Sequence, residues 1–327
     1  MTPLHGHDGA VAVFREGLAS GRLHHAWLVS GPEGVGKALF AHKAALRVLA
    51  EGAGPPPGLE GLDVPDEHPI AKLVEAGSHP DLMRLERLEK DNGELARSIT
   101  VDQVRGLQRL FVTTASLSPW RVVIVDSADD LERNAAHALL KNREEPPPTR
   151  LFLLVSHSPD RLLPTIRSRC RQLRLSRLDD DAMTSALRSA LPDADEREIE
   201  ALKAAGEGSP GRAIAWRGLD IDVLDRTMRD LAAKGDPTNA RRAELAQSLA
   251  LKSAQPRYEA FLARAPSFIA AAARERSGAS LGEAVKLWER AADLAGGAVR
   301  LSLEPQSVVF ELAGMITALA PPRQASR

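Results

Sequence analysis

The chain holds a single cysteine, Cys170, among its 327 residues. That excludes an internal disulfide framework and any multi-cysteine zinc site, and a reducing, cytoplasmic compartment is the simplest expectation. Aromatic residues make up only 4%, which argues against the stacking platforms that hold single-stranded nucleic acids. The formal net charge is −1, so no global field draws the chain to nucleic acid or to an anionic membrane, although a local basic face is compatible with that balance. No apolar run reaches the ~18 residues of a membrane span. The N-terminal Met1-Thr2-Pro3-Leu4-His5-Gly6-His7 lacks the basic start and apolar stretch of a secretory signal. The rest is an ordinary soluble composition, 43% hydrophobic and 27% charged. The length suits two or three domains of about 100–200 residues each.

One stretch organises this chain: Gly31-Pro32-Glu33-Gly34-Val35-Gly36-Lys37-Ala38. It follows an apolar run, residues 25–30, and precedes a helical one, residues 39–46. Strand, glycine loop, helix is the context of a phosphate-binding P-loop. Gly31, Gly34 and Gly36 let the backbone turn tightly with its N–H groups inward, Lys37 supplies a point charge for the outer phosphates, and the helix start adds its positive end. The position after the lysine should carry a hydroxyl that ligates Mg²⁺, and Ala38 stands there. The stretch predicts a nucleotide pocket of reduced competence.

Four further apolar runs read as strands: residues 81–85, 120–126, 151–156 and 170–175. The β-branched run Val122-Val123-Ile124-Val125 is that of a strand buried on both faces of a parallel sheet. Helical spacing appears over 8–20, from Ile99 onward with Thr100 or Asp102 as N-cap, and over 131–143 before Pro146-Pro147-Pro148. Residues 51–69, rich in glycine and proline, predict a loop, and 90–97 a polar hairpin or loop. Alternation to about residue 175 predicts a doubly wound α/β domain with ligand loops at the strand C-termini. Beyond it strand signals stop. Helices are expected over 179–191 and 196–205, then as a series from about 220 to 319. Leu281, Val285, Trp288, Ala292 and Ala295 share one helical face. The tail 321–327 is expected to be disordered.

Asp126 ends the third strand, where a P-loop protein holds its metal with a carboxylate. The next residue is Ser127, whose hydroxyl has no useful basicity at neutral pH. Ala38 and Ser127 together argue against efficient phosphoryl transfer by this chain. Ser156-His157 ends the fourth strand, within reach of a γ-phosphate position, with His157 read as a loop histidine. Arg167 and Arg169 flank Ser168 just before the last strand. An arginine presented at a domain edge is able to enter a neighbour's phosphate site, where such fingers contribute roughly 10³–10⁵ in rate.

These motifs together resemble the delta-prime family of bacterial DNA polymerase III clamp-loader subunits, within the AAA+ class. The resemblance rests on residues 23–27 leading into GPEGVGKA, on Ser78-His79-Pro80-Asp81-Leu82, on Val122–Asp126, on Asn134-Ala135-Ala136-His137-Ala138-Leu139-Leu140-Lys141 continuing to Glu144-Glu145-Pro146-Pro147, and on Leu163–Cys170. It covers residues 1 to about 215. It implies an AAA+ P-loop core at 1–175, a helical lid at 176–216 and a helical oligomerising collar at 217–327. It also implies a stator role in a complex with gamma/tau and delta subunits, which places a sliding clamp on primed DNA, with no membrane involved. Arg169 is then the finger offered to the adjacent gamma/tau ATP site. Gly31, Gly34, Gly36, Lys37, Asp126 and the sensor-2-like Arg212 are the chain's own nucleotide contacts, for ATP or ADP held without efficient hydrolysis. Residues 51–80 carry none of the four zinc-binding cysteines common in relatives, so no zinc is expected. The main alternative is an AAA+ ATPase that hydrolyses ATP in its own P-loop; a nucleotide kinase fits less well, because it leaves the C-terminal helices unexplained.

Overall fold

In a parallel sheet covered on both sides, each strand presents successive side chains to opposite cores, so its sequence is apolar throughout. The computed structural model, which describes residues 2–91, 93, 95–112, 116–141, 149–299 and 301–321, shows this arrangement. Strands β1 (Ala26–Ser30), β2 (Leu82–Glu86), β3 (Arg121–Asp126), β4 (Arg150–Ser156) and β5 (Arg171–Arg174) form one five-stranded sheet in the order β2-β3-β4-β1-β5. All neighbours are parallel. Trp27, Val29, Ile124, Leu153 and Val155 face one core, and Leu28, Val123, Val125, Phe152 and Leu154 the other.

Helices α1 (Asp8–Ala19), α2 (Lys37–Gly52) and α3 (Pro69–Glu75) contribute to the first core, and α4 (Val101–Val112), α5 (Arg133–Lys141) and α6 (Pro164–Arg167) to the second. Phe14 of α1 stands 5.1 Å from Trp27 and 6.0 Å from Phe40 of α2, ring centre to ring centre. Such pairs add about 0.5–1.5 kcal/mol each beyond the area they bury. Helix α4 starts on a reciprocal cap: the Gln103 amide donates to Thr100 Oγ1 at 3.4 Å and the Thr100 amide to Gln103 Oε1 at 3.0 Å. Thr100, not Asp102, is therefore the cap. Helix α5 begins two residues later than periodicity predicts, because Ile99 pairs with Leu131 and accepts from the Glu132 amide. The expected end of that helix at Arg143 and the Glu-Glu-Pro-Pro run lie outside the described residues, as does the tail beyond 321.

After β5 come α7 (Asp180–Ala190), α8 (Glu196–Gly206) and α9 (Pro210–Ala215). Asp179 and Asp195 cap the first two, accepting from the Ala182 and Glu198 amides at 2.9 and 2.8 Å. The chain divides into two compact units, Met1–Ile214 and Ala215–Arg327. The second contains α10 (Ile221–Lys234), α11 (Ala240–Leu249), α12 (Gln255–Arg274), α13 (Gly278–Ala298) and α14 (Pro305–Thr317). Arg264 of α12 grips Asp225 of α10 through two bonds of 2.6 Å. Helix α13 buries Ala284 and Ala291, while Leu281, Val285 and Trp288 remain 37–41% exposed. With Ala270, Ala273 and Arg274 of α12 they line an apolar groove of about 250 Å³.

Candidate functional site

The glycine loop joins β1 to α2, and its three glycines all take left-handed backbone: φ is +146° at Gly31, +76° at Gly34 and +102° at Gly36, which caps α2. Only glycine accepts such angles without strain. Close approach is a second reason. A Cβ on Gly31 would lie 2.1 Å from the Leu175 carbonyl oxygen, and one on Gly34 would lie 2.6 Å from the Arg212 amide nitrogen. Arg212 of α9 therefore stands half-buried directly against the loop.

Lys37 opens α2 and is 3% exposed. Its Nζ donates to the Gly31 and Pro32 carbonyls at 2.8 and 2.5 Å. Burial lowers its pKa from 10.5 to about 8, against the opposing pull of Glu33, Asp129 and Asp126. An anion in the loop would favour the charged form and raise this pKa again.

Asp126 ends β3 with its side chain 18% exposed, and Arg84 Nη2 donates to its Oδ2 at 2.7 Å. Ser127 is buried and donates to Asp130 Oδ2 at 3.2 Å. Asp129 turns to the end of β4, where it accepts from Ser156 Oγ at 3.0 Å and from the His157 and Ser158 amides at 2.7 and 3.1 Å. The Ser156 hydroxyl, a candidate for a γ-phosphate, is thus committed to Asp129. His157 lines the cavity.

That cavity holds about 320 Å³, within the size range of small-ligand pockets. Gly34, Gly36, Lys37, Ala38 and Asp126 line it, together with apolar groups that include Leu4, Leu178 and Ile214. Sequence reasoning missed the N-terminal residues that close it. Thr2–His5 reach over the loop, anchored by His7, whose Nε2 sits 2.7 Å from the Val35 carbonyl, and by His5, 3.0 Å from Ser189 Oγ. A Cβ on Gly36 would meet Leu4 and His7 at 3.6 and 3.8 Å, so the third glycine also leaves room for this segment. The positive-φ Gly6 immediately before His7 was the available hint.

The loop fits phosphates: left-handed glycines form the cradle, a lysine lies within it, and a sixteen-residue helix starts there. It does not fit a divalent cation. Ala38 offers a methyl, Asp126 is paired to a guanidinium, and among the described residues no group of three or more His, Cys, Asp or Glu is disposed to hold a metal.

Arg167 and Arg169 leave α6 on the way to β5. Arg167 pairs with Asp160 at 2.6 Å. Arg169 is exposed, and its Nη1 donates to the Thr165 carbonyl at 3.2 Å. Asp81 of the Ser-His-Pro-Asp run has a structural task. It is 2% exposed and accepts from the Ser116, Leu117 and Ser118 amides at 2.9–3.1 Å. Among the described residues no helix is long and apolar enough to cross a membrane.

Residues 6–179 match the family described as "DNA polymerase III, delta subunit". The delta' subunit of DNA polymerase III from Pseudomonas aeruginosa is 40% identical over 197 residues, 60% of this chain and 57% of that protein. The tau subunit from Escherichia coli is 31% identical over 216 residues, 64% of this chain and 31% of that protein. The matches thus span little more than half of the first relative and under a third of the second. A solved DNA polymerase III gamma subunit-related protein from Thermotoga maritima superposes with a TM-score of 0.42 at 13% identity, over 93% of this chain and 98% of that one.

Proposed function

The chain belongs to the DNA polymerase III delta-subunit family, and from that premise we propose that it is the delta-prime, stator-type subunit of the clamp loader. In this reading residues 1–175 are the AAA+ core, 176–216 the lid and 217–327 the collar. The chain assembles with gamma/tau and delta subunits, and the complex loads a sliding clamp on primed DNA. Arg169 enters the ATP site of the adjacent gamma/tau subunit and meets the charge that develops on the transferred phosphoryl group. The chain's own loop holds ATP or ADP through Gly31, Gly34, Gly36 and Lys37, with Asp126 and Arg212 beside it, and does not hydrolyse it efficiently.

One observation carries this reading: the arginine of the Ser-Arg-Cys run is exposed at the approach to β5, while the hydroxyl and the carboxylate that follow Asp126 in sequence are held by other partners. Ser127 is spent on Asp130 and Asp129 on the end of β4. The Leu281, Val285 and Trp288 face supports a collar contact, because an apolar groove left open on a helical unit loses free energy until a partner covers it.

Co-purification with gamma/tau and delta, combined with ATPase measurement, tests the reading. The expected result is a stoichiometric complex and no turnover by the isolated chain. Turnover by the isolated chain that disappears in Lys37→Ala would favour an autonomous ATPase instead.

A further inference from the structure

The disagreement between this site and a divalent cation has a structural source, and we propose that the guanidinium of Arg84 takes the place of the metal ion at Asp126. In the parallel pairing of β2 with β3, Arg84 lies opposite Ile124 and Glu86 opposite Asp126. Side chains two apart share a face, so all four point to the side on which Ile124 packs with α2. The long arginine reaches diagonally across the ladder. Its Nη2 lies 2.7 Å from Asp126 Oδ2 and its Nε 2.8 Å from Glu86 Oε2. A guanidinium thus sits between two carboxylates, one of which, Asp126, lines the cavity beside the glycine loop.

Mg²⁺ demands a near-octahedral set of oxygens at short distance and gives up its water reluctantly. Here Asp126, Asp129 and Asp130 each already have a donor on at least one oxygen. Asp126 is held by Arg84, Asp129 by three groups at the end of β4, and Asp130 by Ser127 and by Arg87 Nε at 3.3 Å. Ala38 supplies none. The arginine fork donates to both carboxylates at once, with the Arg84 side chain 42% exposed and that of Asp126 18%. The phosphate charge of a nucleotide would be met by Lys37 and the start of α2, not by an ion from solution. Arg84 is then a specificity-determining residue that selects the metal-free nucleotide over its Mg²⁺ complex. The inference rests on the reading that the loop holds a nucleotide.

Calorimetric titration of the full chain with ADP, in Mg²⁺ or in chelator, tests it. The wild type should bind equally in both, within about twofold, and Ala38→Ser/Arg84→Ala should bind at least about tenfold more tightly with Mg²⁺. A wild type tightened tenfold by Mg²⁺, or a double variant that gains nothing from it, overturns the proposal. If neither protein binds ADP in any condition, the nucleotide reading falls, and the arginine is judged alone from its ¹⁵N guanidinium resonances, identified by their loss in Arg84→Ala. They should shift in Asp126→Asn and stay fixed in millimolar Mg²⁺. Movement with Mg²⁺, or indifference to Asp126→Asn, overturns the proposal on that measurement.

Discussion

Gly34 of the phosphate loop and Gly211 of α9 meet backbone to backbone: the Gly211 amide donates to the Gly34 carbonyl at 2.8 Å, and a Cβ on Gly211 would lie 3.1 Å from the Gly34 Cα. The loop is therefore braced by the helix that carries Arg212.

Gly34→Ala should be costly on two counts. It forces an L-residue to φ +76° and drives a methyl to 2.6 Å from the Arg212 amide nitrogen. The left-handed backbone alone costs roughly 1–2 kcal/mol. Thermal denaturation should show a loss of about 2 kcal/mol or more, a fall in Tm on the order of 4–8 °C for a unit of this size. Gly106→Ala is the matched control. It lies within α4 with nothing inside 4 Å of the added carbon, and it should gain about 0.5–1 kcal/mol.

Lys37 sets a pH dependence with a definite sign. Its folded pKa is lowered from 10.5 to about 8 by burial. Below that value the ammonium is charged in folded and unfolded chains alike, and the penalty for burying it is fully present. Between about 8 and 10.5 the folded chain binds fewer protons, so this group makes stability rise with pH. Lys37→Met should exceed the wild type in stability at neutral pH, and the difference should shrink over that window. A phosphate-bearing ligand restores the ammonium, so ADP binding at about pH 9 should take up protons. Titrations in buffers of different ionisation enthalpy read that uptake.

Asp81 should contribute to the acid limb. Burial alone would raise its carboxyl pKa, but the amides of Leu117, Ser116 and Ser118 outweigh that and hold it below 3.8. Its contribution is complete above 3.8 and is lost as pH falls through the lower folded value. Asp81→Asn puts an amide donor where an acceptor is needed. It should cost about 2–4 kcal/mol near neutral pH and much less in strong acid, as followed by urea denaturation across pH.

The groove on α12 and α13 makes a separate prediction. Trp288→Glu places a charge on a face that is already exposed. The free chain should stay folded, with a loss of about 1–2 kcal/mol for the part of the indole that is covered in the groove. Association with gamma/tau and delta should weaken by about tenfold or more if Trp288 is a buried anchor of the collar contact. Analytical ultracentrifugation of the mixed subunits measures both association and the integrity of the free chain.

The sheet was legible because a strand buried on both faces cannot alternate. Val122-Val123-Ile124-Val125 and Leu151-Phe152-Leu153-Leu154 announce themselves for that reason. The glycine loop was legible because φ at Gly31, Gly34 and Gly36 is written in residue type. What escaped depends on residues brought together by the fold. Arg84 meets Asp126 only through a diagonal across two strands 42 positions apart in sequence. The N-terminal cover is fixed by single contacts from His5 and His7. Helix spacing marked Leu281, Val285 and Trp288 as one face but left open whether that face was core. Ala284 and Ala291 fill the core side, and the stripe stays exposed.

In the proposed assembly Arg169 completes the reaction centre of a neighbouring subunit. The most direct measurement is the DNA- and clamp-stimulated ATPase of the assembled complex, with wild type compared against Arg169→Ala at equal subunit stoichiometry. The expected result is that the variant assembles normally and that turnover at the adjacent gamma/tau site falls by roughly 10³-fold or more. An assembled complex that turns over at the wild-type rate with Arg169→Ala in place would contradict it.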